Sequence, residues 1–188
     1  MNRRTLLLFS ALLLLPTVVF AQETQPTPPP DPRVYSDPAM RFVAPEGYRL
    51  LGQRPIPVES LGGDPQVVAA WVQPDAERSR QLLIQQQAFE GTADAYASSY
   101  QQFLRNTYGD ALVKNKENMS LRNGMPAVYM EMTTGNGFNT QKFFLISWAD
   151  GERGVTLSLS APVGEFDKAT ALRVLSDASA VRYPRNRG

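Results

Sequence analysis

The residue types that most enzymes use as nucleophiles, bases and metal ligands are missing from this chain. Its 188 residues include no histidine and no cysteine. A Ser-His-Asp triad, a Cys-His dyad and the common zinc sites cannot be built without them. No serine is followed three residues later by a lysine, which excludes the Ser-x-x-Lys nucleophile. We therefore predict a non-enzymatic protein with no catalytic residue, no metal site and no cofactor.

Carboxylates are the remaining groups with catalytic potential. A glycosidase needs two Asp or Glu side chains about 5–10 Å apart, and the chain has 18 acidic residues, scattered through turns and helix starts. Asp150 and Glu152 flank Gly151 and hint at calcium, but two acids in a tight turn fall short of a calcium loop. A solvated hairpin tip accounts for them.

The turn around Asn136 is the one place where the sequence suggests a binding surface. Gly135-Asn136-Gly137 resembles the start of a dinucleotide-binding fingerprint, but the third glycine is missing. The segment lies between two predicted strands, so we interpret it as a hairpin. Loop tips carry function more often than strands do. We therefore nominate Asn136, Phe138 and Asn139 as a binding site, because Phe138 has no evident core role there.

Three consecutive antiparallel strands are predicted to position that turn: Ala127–Thr133, Gln141–Trp148 and Val155–Ala161. The middle strand is apolar at four successive positions, 143 to 146, so both of its faces carry apolar side chains. Such a strand is covered on both sides. The third strand alternates apolar residues with Thr156, Ser158 and Ser160, and we expect these three to form a polar face that is free to meet a partner.

The remaining elements are predicted from their patterns. Two apolar runs, Gln66–Gln73 and Gln81–Phe89, form a hairpin. A helix starts after Thr92 as its N-cap and ends at Gly109. Its core-facing stripe is Tyr96, Tyr100, Phe103, Leu104 and Tyr108. A second amphipathic helix follows Gly164, with an apolar face made by Phe166, Ala169, Leu172, Leu175 and Ala178.

The first 38 residues are predicted to lie outside the folded domain. Asn2-Arg3-Arg4 precedes an apolar run over Leu6–Leu15, and Val19-Phe20-Ala21 matches a cleavage site. Residues 1–21 are thus predicted to be a signal peptide. The alternative, a transmembrane anchor, needs about 20 apolar residues. Residues 22–38 contain six prolines and are predicted to be an extended linker, followed by one domain over 39–184 and a disordered tail over 185–188.

Export and charge limit the possible partners. Cleavage after Ala21 would release the protein into the periplasm or the medium, with membrane contact only through the signal peptide. Removing Arg3 and Arg4 from the 19 basic residues leaves 17, against 18 acidic residues. A nucleic-acid-binding domain usually has a basic stripe, so no nucleic-acid partner is expected.

Several short motifs occur in one order along the chain. A strand runs into Pro45-Glu46-Gly47-Tyr48, the first helix and the next strand lead to Asn123-Gly124-Met125-Pro126-Ala127, and the three-strand unit ends in Ser160-Ala161-Pro162. With a closing amphipathic helix, this order resembles the PsbP-like superfamily, including the bacterial DcrB-type proteins. The resemblance implies an α+β fold: an antiparallel sheet flanked by helices on both faces, an α/β/α sandwich. The metal-binding role of PsbP involves histidines and does not transfer to this chain, and the cysteine of the DcrB-type lipoproteins is missing.

Three functional hypotheses follow. The first is an exported domain that binds another protein, an envelope or secreted partner, and assists assembly at the cell envelope. The second is a carrier of a small molecule or lipid in an apolar cleft between sheet and helix. The third is a carboxylate-dependent hydrolase. The sequence does not identify the partner or the oligomeric state.

Overall fold

The computed structural model describes residues 30–74, 80–109, 112–134, 140–164, 167–175 and 178–180. In chain order the strands and helices are β1 (Val34–Ser36), β2 (Met40–Val43), β3 (Arg49–Gln53), β4 (Gln66–Gln73), β5 (Arg80–Ala88), α1 (Ala93–Tyr108), β6 (Leu112–Ser120), β7 (Pro126–Thr134), β8 (Gln141–Ala149), β9 (Arg153–Pro162), α2 (Lys168–Leu175) and β10 (Ser179–Ala180).

Seven strands form one antiparallel sheet in the order β3-β4-β5-β9-β8-β7-β6. The predicted three-strand unit is confirmed as β7, β8 and β9, with boundaries within two residues of those expected. The predicted hairpin is confirmed as β4 and β5. The crossover is between β5 and β9, which lie side by side although α1 and three strands separate them in sequence.

Helix α1 packs on one face of this sheet, over β6, β7 and β8. Its predicted ends are confirmed: the Thr92 hydroxyl accepts a hydrogen bond from the Ala95 amide at 3.2 Å, and Gly109 ends the helix with φ of 69°. Tyr96, Tyr100 and Leu104 are buried with apolar residues of β7 and β8. Phe103 is only partly buried and Tyr108 is exposed, so the core-facing stripe is narrower than predicted.

The prediction of an α/β/α sandwich with helices on both faces is wrong. The described chain is mostly strand, and the face away from α1 is covered by a second sheet, in the order β1-β2-β10. Tyr35, Met40 and Phe42 of this small sheet are buried against the large one, and the two-turn α2 adds Ala171 and Leu175 to the same core. The middle strand β8 is apolar on both faces and must be covered on each of them. The periodicity of its apolar residues does not show whether the cover is a helix or a sheet.

The apolar face predicted for the second helix is partly wrong. Helix α2 buries Ala171 and Leu175, four residues apart, and Ala178 is buried just beyond it, whereas Ala169 is exposed. Phe166 lies outside the described residues. The helix turns by 3.6 residues per turn, so a three-residue spacing drifts off the buried face.

The domain begins earlier than the predicted boundary at residue 39. Strand β1 pairs with β2 from Val34 to Ser36, and the buried Trp71 indole donates to the Pro32 carbonyl at 3.1 Å. Residues 32–36 therefore belong to the fold and not to a linker. The predicted signal peptide and residues 22–29 lie outside the described residues, as do residues 181–188. Within the described ranges no helix is long and apolar enough to span a membrane.

Candidate functional site

The nominated turn residues Asn136, Phe138 and Asn139 lie outside the described residues. They belong to the connection between β7, which ends at Thr134, and β8, which starts at Gln141. Their nomination stays a prediction.

The expected polar face of β9 is not free. Thr156 and Ser158 are buried and only Ser160 is partly exposed. The Thr156 hydroxyl donates to the Tyr96 hydroxyl oxygen at 3.3 Å and shares a hydrogen bond with the Ser147 hydroxyl at 2.9 Å. Helix α1 packs over these groups, and its Tyr96 hydroxyl gives Thr156 a hydrogen-bond partner inside the core. The prediction that this face meets a partner is therefore wrong.

A second part of the α1-side face is open instead. The register places Leu83 of β5 beside the buried Ser158, and Ala70 of β4 beside Leu83, all on the α1 side. We call the four residues Val67, Ala70, Val72 and Leu83 the open face. Val67 is 50% exposed, and the other three are partly exposed. The open face is apolar surface that α1 does not reach.

Arg49 of the edge strand β3 borders the open face, and Arg54 follows directly after the end of β3. Arg49 pairs with Val72 across the strands, and the Arg54 amide donates to the Val68 carbonyl at 2.7 Å. Both side chains are exposed. Neither has an ion pair among the described residues, where most other arginines have a partner. The open face therefore combines exposed apolar surface with positive charge that is paired with no acidic side chain within the described ranges.

The residues of the open face were not recognised from the sequence. The run Gln66–Gln73 is apolar at successive positions, which predicts an interior strand covered on both faces. Only one face is fully covered. The one signal in the sequence was the pair Arg49 and Arg54, which enclose a short run without charge.

Two clefts lie beside β3, away from α1. The smaller, of about 340 Å³, is formed by Pro30 and β1 against Gln53 and Pro55. The larger, of about 640 Å³, is formed by Asp31, Pro32 and Arg33 against residues 47–50. The carrier hypothesis places a ligand between sheet and helix, where the described core is filled by apolar side chains of α1, β7 and β8. These clefts are elsewhere and do not favour it.

The best-defined carboxylate is Glu131 on β7. Its two carboxylate oxygens pair with the Lys142 ammonium at 2.9 Å and accept from the Tyr129 hydroxyl at 3.0 Å. Burial raises the pKa of Glu131, but these hydrogen bonds and the charge of Lys142 outweigh it and hold the pKa below its ordinary value. A glycosidase needs one carboxyl with a raised pKa to act as the acid. The lowered pKa of Glu131 therefore fits a partner in an ion pair and does not fit the acid of a glycosidase.

The Glu131 ion pair gives a stability that depends on pH. A carboxyl whose pKa is lower in the folded state stabilises the fold above the unfolded pKa, about 4.3, and loses this contribution as pH falls through the folded value. We expect Glu131→Gln to lower the free energy of unfolding by about 1 kcal/mol at pH 7. Denaturant titrations from pH 7 to 2.5 should show this difference shrinking below about pH 4.

The control for this prediction is Glu152→Gln, since the Glu152 side chain is exposed at the β8–β9 turn. It should differ little from the wild type at any pH. A Glu131→Gln difference that stays constant or grows on acidification would contradict the prediction.

Other acids have structural roles. Asp150 accepts from the amides of Glu152 and Arg153 at 3.0 and 2.9 Å, and so closes the β8–β9 turn, as the hairpin interpretation predicts. Among the described residues no group of three or more acids is arranged to hold a metal ion.

Comparison with known proteins adds little. No known family profile and no curated protein matches the chain. One similar solved structure is a protein of unknown function from Pseudomonas aeruginosa, 11% identical, with a TM-score of 0.47 over 65% of this chain and 85% of that chain. A likeness at this level supports no inference about fold or function. The resemblance to the PsbP-like superfamily stays a prediction.

Proposed function

We propose that this chain is an exported, non-enzymatic domain that binds another protein through the open face, as an assembly factor at the cell envelope. The observation that carries the proposal is the open face itself: a sheet surface that the described residues leave partly exposed. Export is supported by the leader pattern over residues 2–21.

The apolar part of the open face supports binding because sheets are normally covered. A sheet buries its hydrophobic face against another layer, and large contiguous apolar patches on soluble proteins mark interaction sites. Here β6 to β8 carry α1, whereas β4 and β5, on the other side of β9 in the sheet, present Val67 and Leu83 to solvent. The partner supplies the missing layer beside α1.

The charge at the border supports a partner with acidic residues. Arg49 lies at one margin of the open face and Arg54 just beyond the end of β3, and neither has an ion pair among the described residues. Arginine is enriched at protein interfaces and pairs bidentately with carboxylates. Complementary charge at an interface raises the association rate and selects among partners.

Site-specific photocrosslinking tests the position of the interface. A photoreactive residue replaces Val67, and the matched control replaces Leu112, which is 64% exposed on the opposite edge strand β6. In cells of the source organism, we expect a discrete protein adduct from position 67 and none from position 112. Equal adducts at both positions, or none at position 67, would remove the support for this surface.

Charge reversal tests the role of the arginines on the partner identified in this way. We expect Arg49→Glu to weaken binding about tenfold, mainly through the association rate, and to reduce its dependence on salt. Lys114→Glu on β6 makes the same charge change on the opposite edge and should leave binding unchanged. Equal losses in the two variants would mean that only net charge matters.

A further inference from the structure

Besides the Tyr48 hydroxyl, three buried polar atoms under the small sheet have no hydrogen-bond partner among the described residues. They are Gln86 Oε1, Trp148 Nε1 and Arg153 Nε. Gln86 and Trp148 are fully buried, and Arg153 is 7% exposed. Arg153 Nε lies 3.3 Å from an Asp150 carboxylate oxygen, an ion-pair distance, but outside hydrogen-bond geometry. Buried polar atoms in native proteins are nearly always paired, so three together require a common explanation.

The strand register brings these side chains to one place. Trp148 of β8 and Gln86 of β5 both pair with Val155 of β9, from its two sides. Arg153 lies two residues before Val155 on the same strand, and side chains two residues apart share a face. All three therefore project toward the small sheet from neighbouring positions.

The loop between β1 and β2 closes over this place. One Asp37 carboxylate oxygen accepts from the Gln86 amide nitrogen at 2.7 Å and from the Tyr35 hydroxyl at 2.8 Å. Burial raises the pKa of the Tyr35 hydroxyl, the charge of Asp37 raises it further, and the positive charge of Arg153 acts in the opposite direction. Gln86 is thus hydrogen-bonded to this loop, and the strand register places Arg153 on the same side of the sheet.

The chemistry of the three atoms defines what they bind. Trp148 and Arg153 each offer an N–H donor, and Gln86 offers a carbonyl acceptor. An anion would not match the Gln86 carbonyl, and a metal cation would be repelled by the guanidinium. A neutral molecule that accepts two hydrogen bonds and donates one fits all three, and internal waters make about three such bonds.

We propose that a single buried water molecule binds between Gln86, Trp148 and Arg153 and joins the small sheet to the large one. It accepts from the indole and the guanidinium and donates to the Gln86 carbonyl. With the Asp37 hydrogen bonds, it completes a polar junction inside an otherwise apolar core. The proposal is independent of the open face.

The two tryptophans make a direct test. Both indoles are buried, but the Trp71 indole donates to the Pro32 carbonyl and serves as the internal control. In nitrogen-15-edited NOESY and ROESY spectra of the purified chain, we expect the Trp148 indole proton to show a cross-peak to a long-lived water and Trp71 to show none. Opposite signs in the two spectra separate a bound water from hydrogen exchange.

A variant checks the acceptor. Gln86→Met removes the carbonyl at similar volume, and we expect it to abolish the Trp148 water cross-peak. An unchanged chemical shift of the Trp71 indole proton shows that the variant is folded. If the variant does not fold, the presence or absence of the water cross-peak in the wild-type spectra decides the proposal. The proposal is overturned if the water cross-peak appears on neither indole or on both, or if it persists in a folded Gln86→Met protein.

Discussion

Replacing Gly154 with alanine is expected to destabilise the protein by about 3 kcal/mol, at the upper end of the usual cost of overpacking a core. A Cβ at position 154 would lie 2.1 Å from Cε2 of Tyr96, well inside van der Waals contact. The Tyr96 ring cannot move aside, because Tyr96 is fully buried. Its ring centroid lies 5.1 Å from that of Phe89 and 6.2 Å from that of Tyr100. The methyl group therefore displaces α1 from the sheet.

Urea denaturation measures this loss, and Gly63→Ala is the matched control. A Cβ at Gly63 has no heavy atom within 4 Å, so that variant should stay within about 0.5 kcal/mol of the wild type. Tyr96→Leu in the Gly154→Ala background should recover part of the loss relative to the sum of the single changes. Additive effects of the two substitutions would show that Tyr96 is not the residue that position 154 excludes.

Replacing Asp37 with alanine is expected to destabilise the protein by about 3 kcal/mol, because buried donors lose a charged acceptor. The carboxylate accepts four hydrogen bonds: from the amides of Ala39 and Met40 at 2.7 and 2.8 Å, and from the Tyr35 hydroxyl and Gln86 amide. Tyr35 and Gln86 are buried, so bulk solvent does not replace the lost acceptor. The loop that holds the small sheet on the large one loses its anchor.

Hydrogen exchange locates this effect. In Asp37→Ala the amides of β1 and β2 should exchange faster, while those of β7 and β8 keep their protection until global unfolding. Asp37→Asn keeps an acceptor and should lose less stability than Asp37→Ala. Asp64→Ala, at an exposed aspartate, should have no effect. Uniform loss of protection over both sheets would mean that the small sheet does not open separately.

Much of the local structure could be predicted because it depends on neighbours in sequence. Thr92 and Gly109 mark the ends of α1 by capping chemistry, and the hairpin turns around Asn123-Gly124 and Asp150-Gly151 set where β7 and β9 begin. The apolar middle strand β8 indicated a sheet covered on both faces, and Phe144 and Leu145 are indeed buried on opposite sides.

The candidate site was not predictable in this way. Val67 and Leu83 have the same apolar character as buried strand residues, and their exposure depends on how far α1 extends across the sheet. Thr156 and Ser158 have the residue types of a solvent-facing strand. They are buried because α1 packs over them, and Tyr96 of that helix, 60 residues away in sequence, is hydrogen-bonded to Thr156.

The sequence by itself determined strands β4, β5 and β7 to β9, the ends of α1 and the exclusion of histidine- and cysteine-based chemistry, because capping, alternation and residue type are local properties. The tertiary structure alone decided that a second sheet covers the face opposite α1, that α1 buries the polar side of β9, and that Val67 lies in an open face bordered by Arg49. Burial is a property of which segments meet across the sheet, and strand pairings such as β5 with β9 join residues about 70 positions apart.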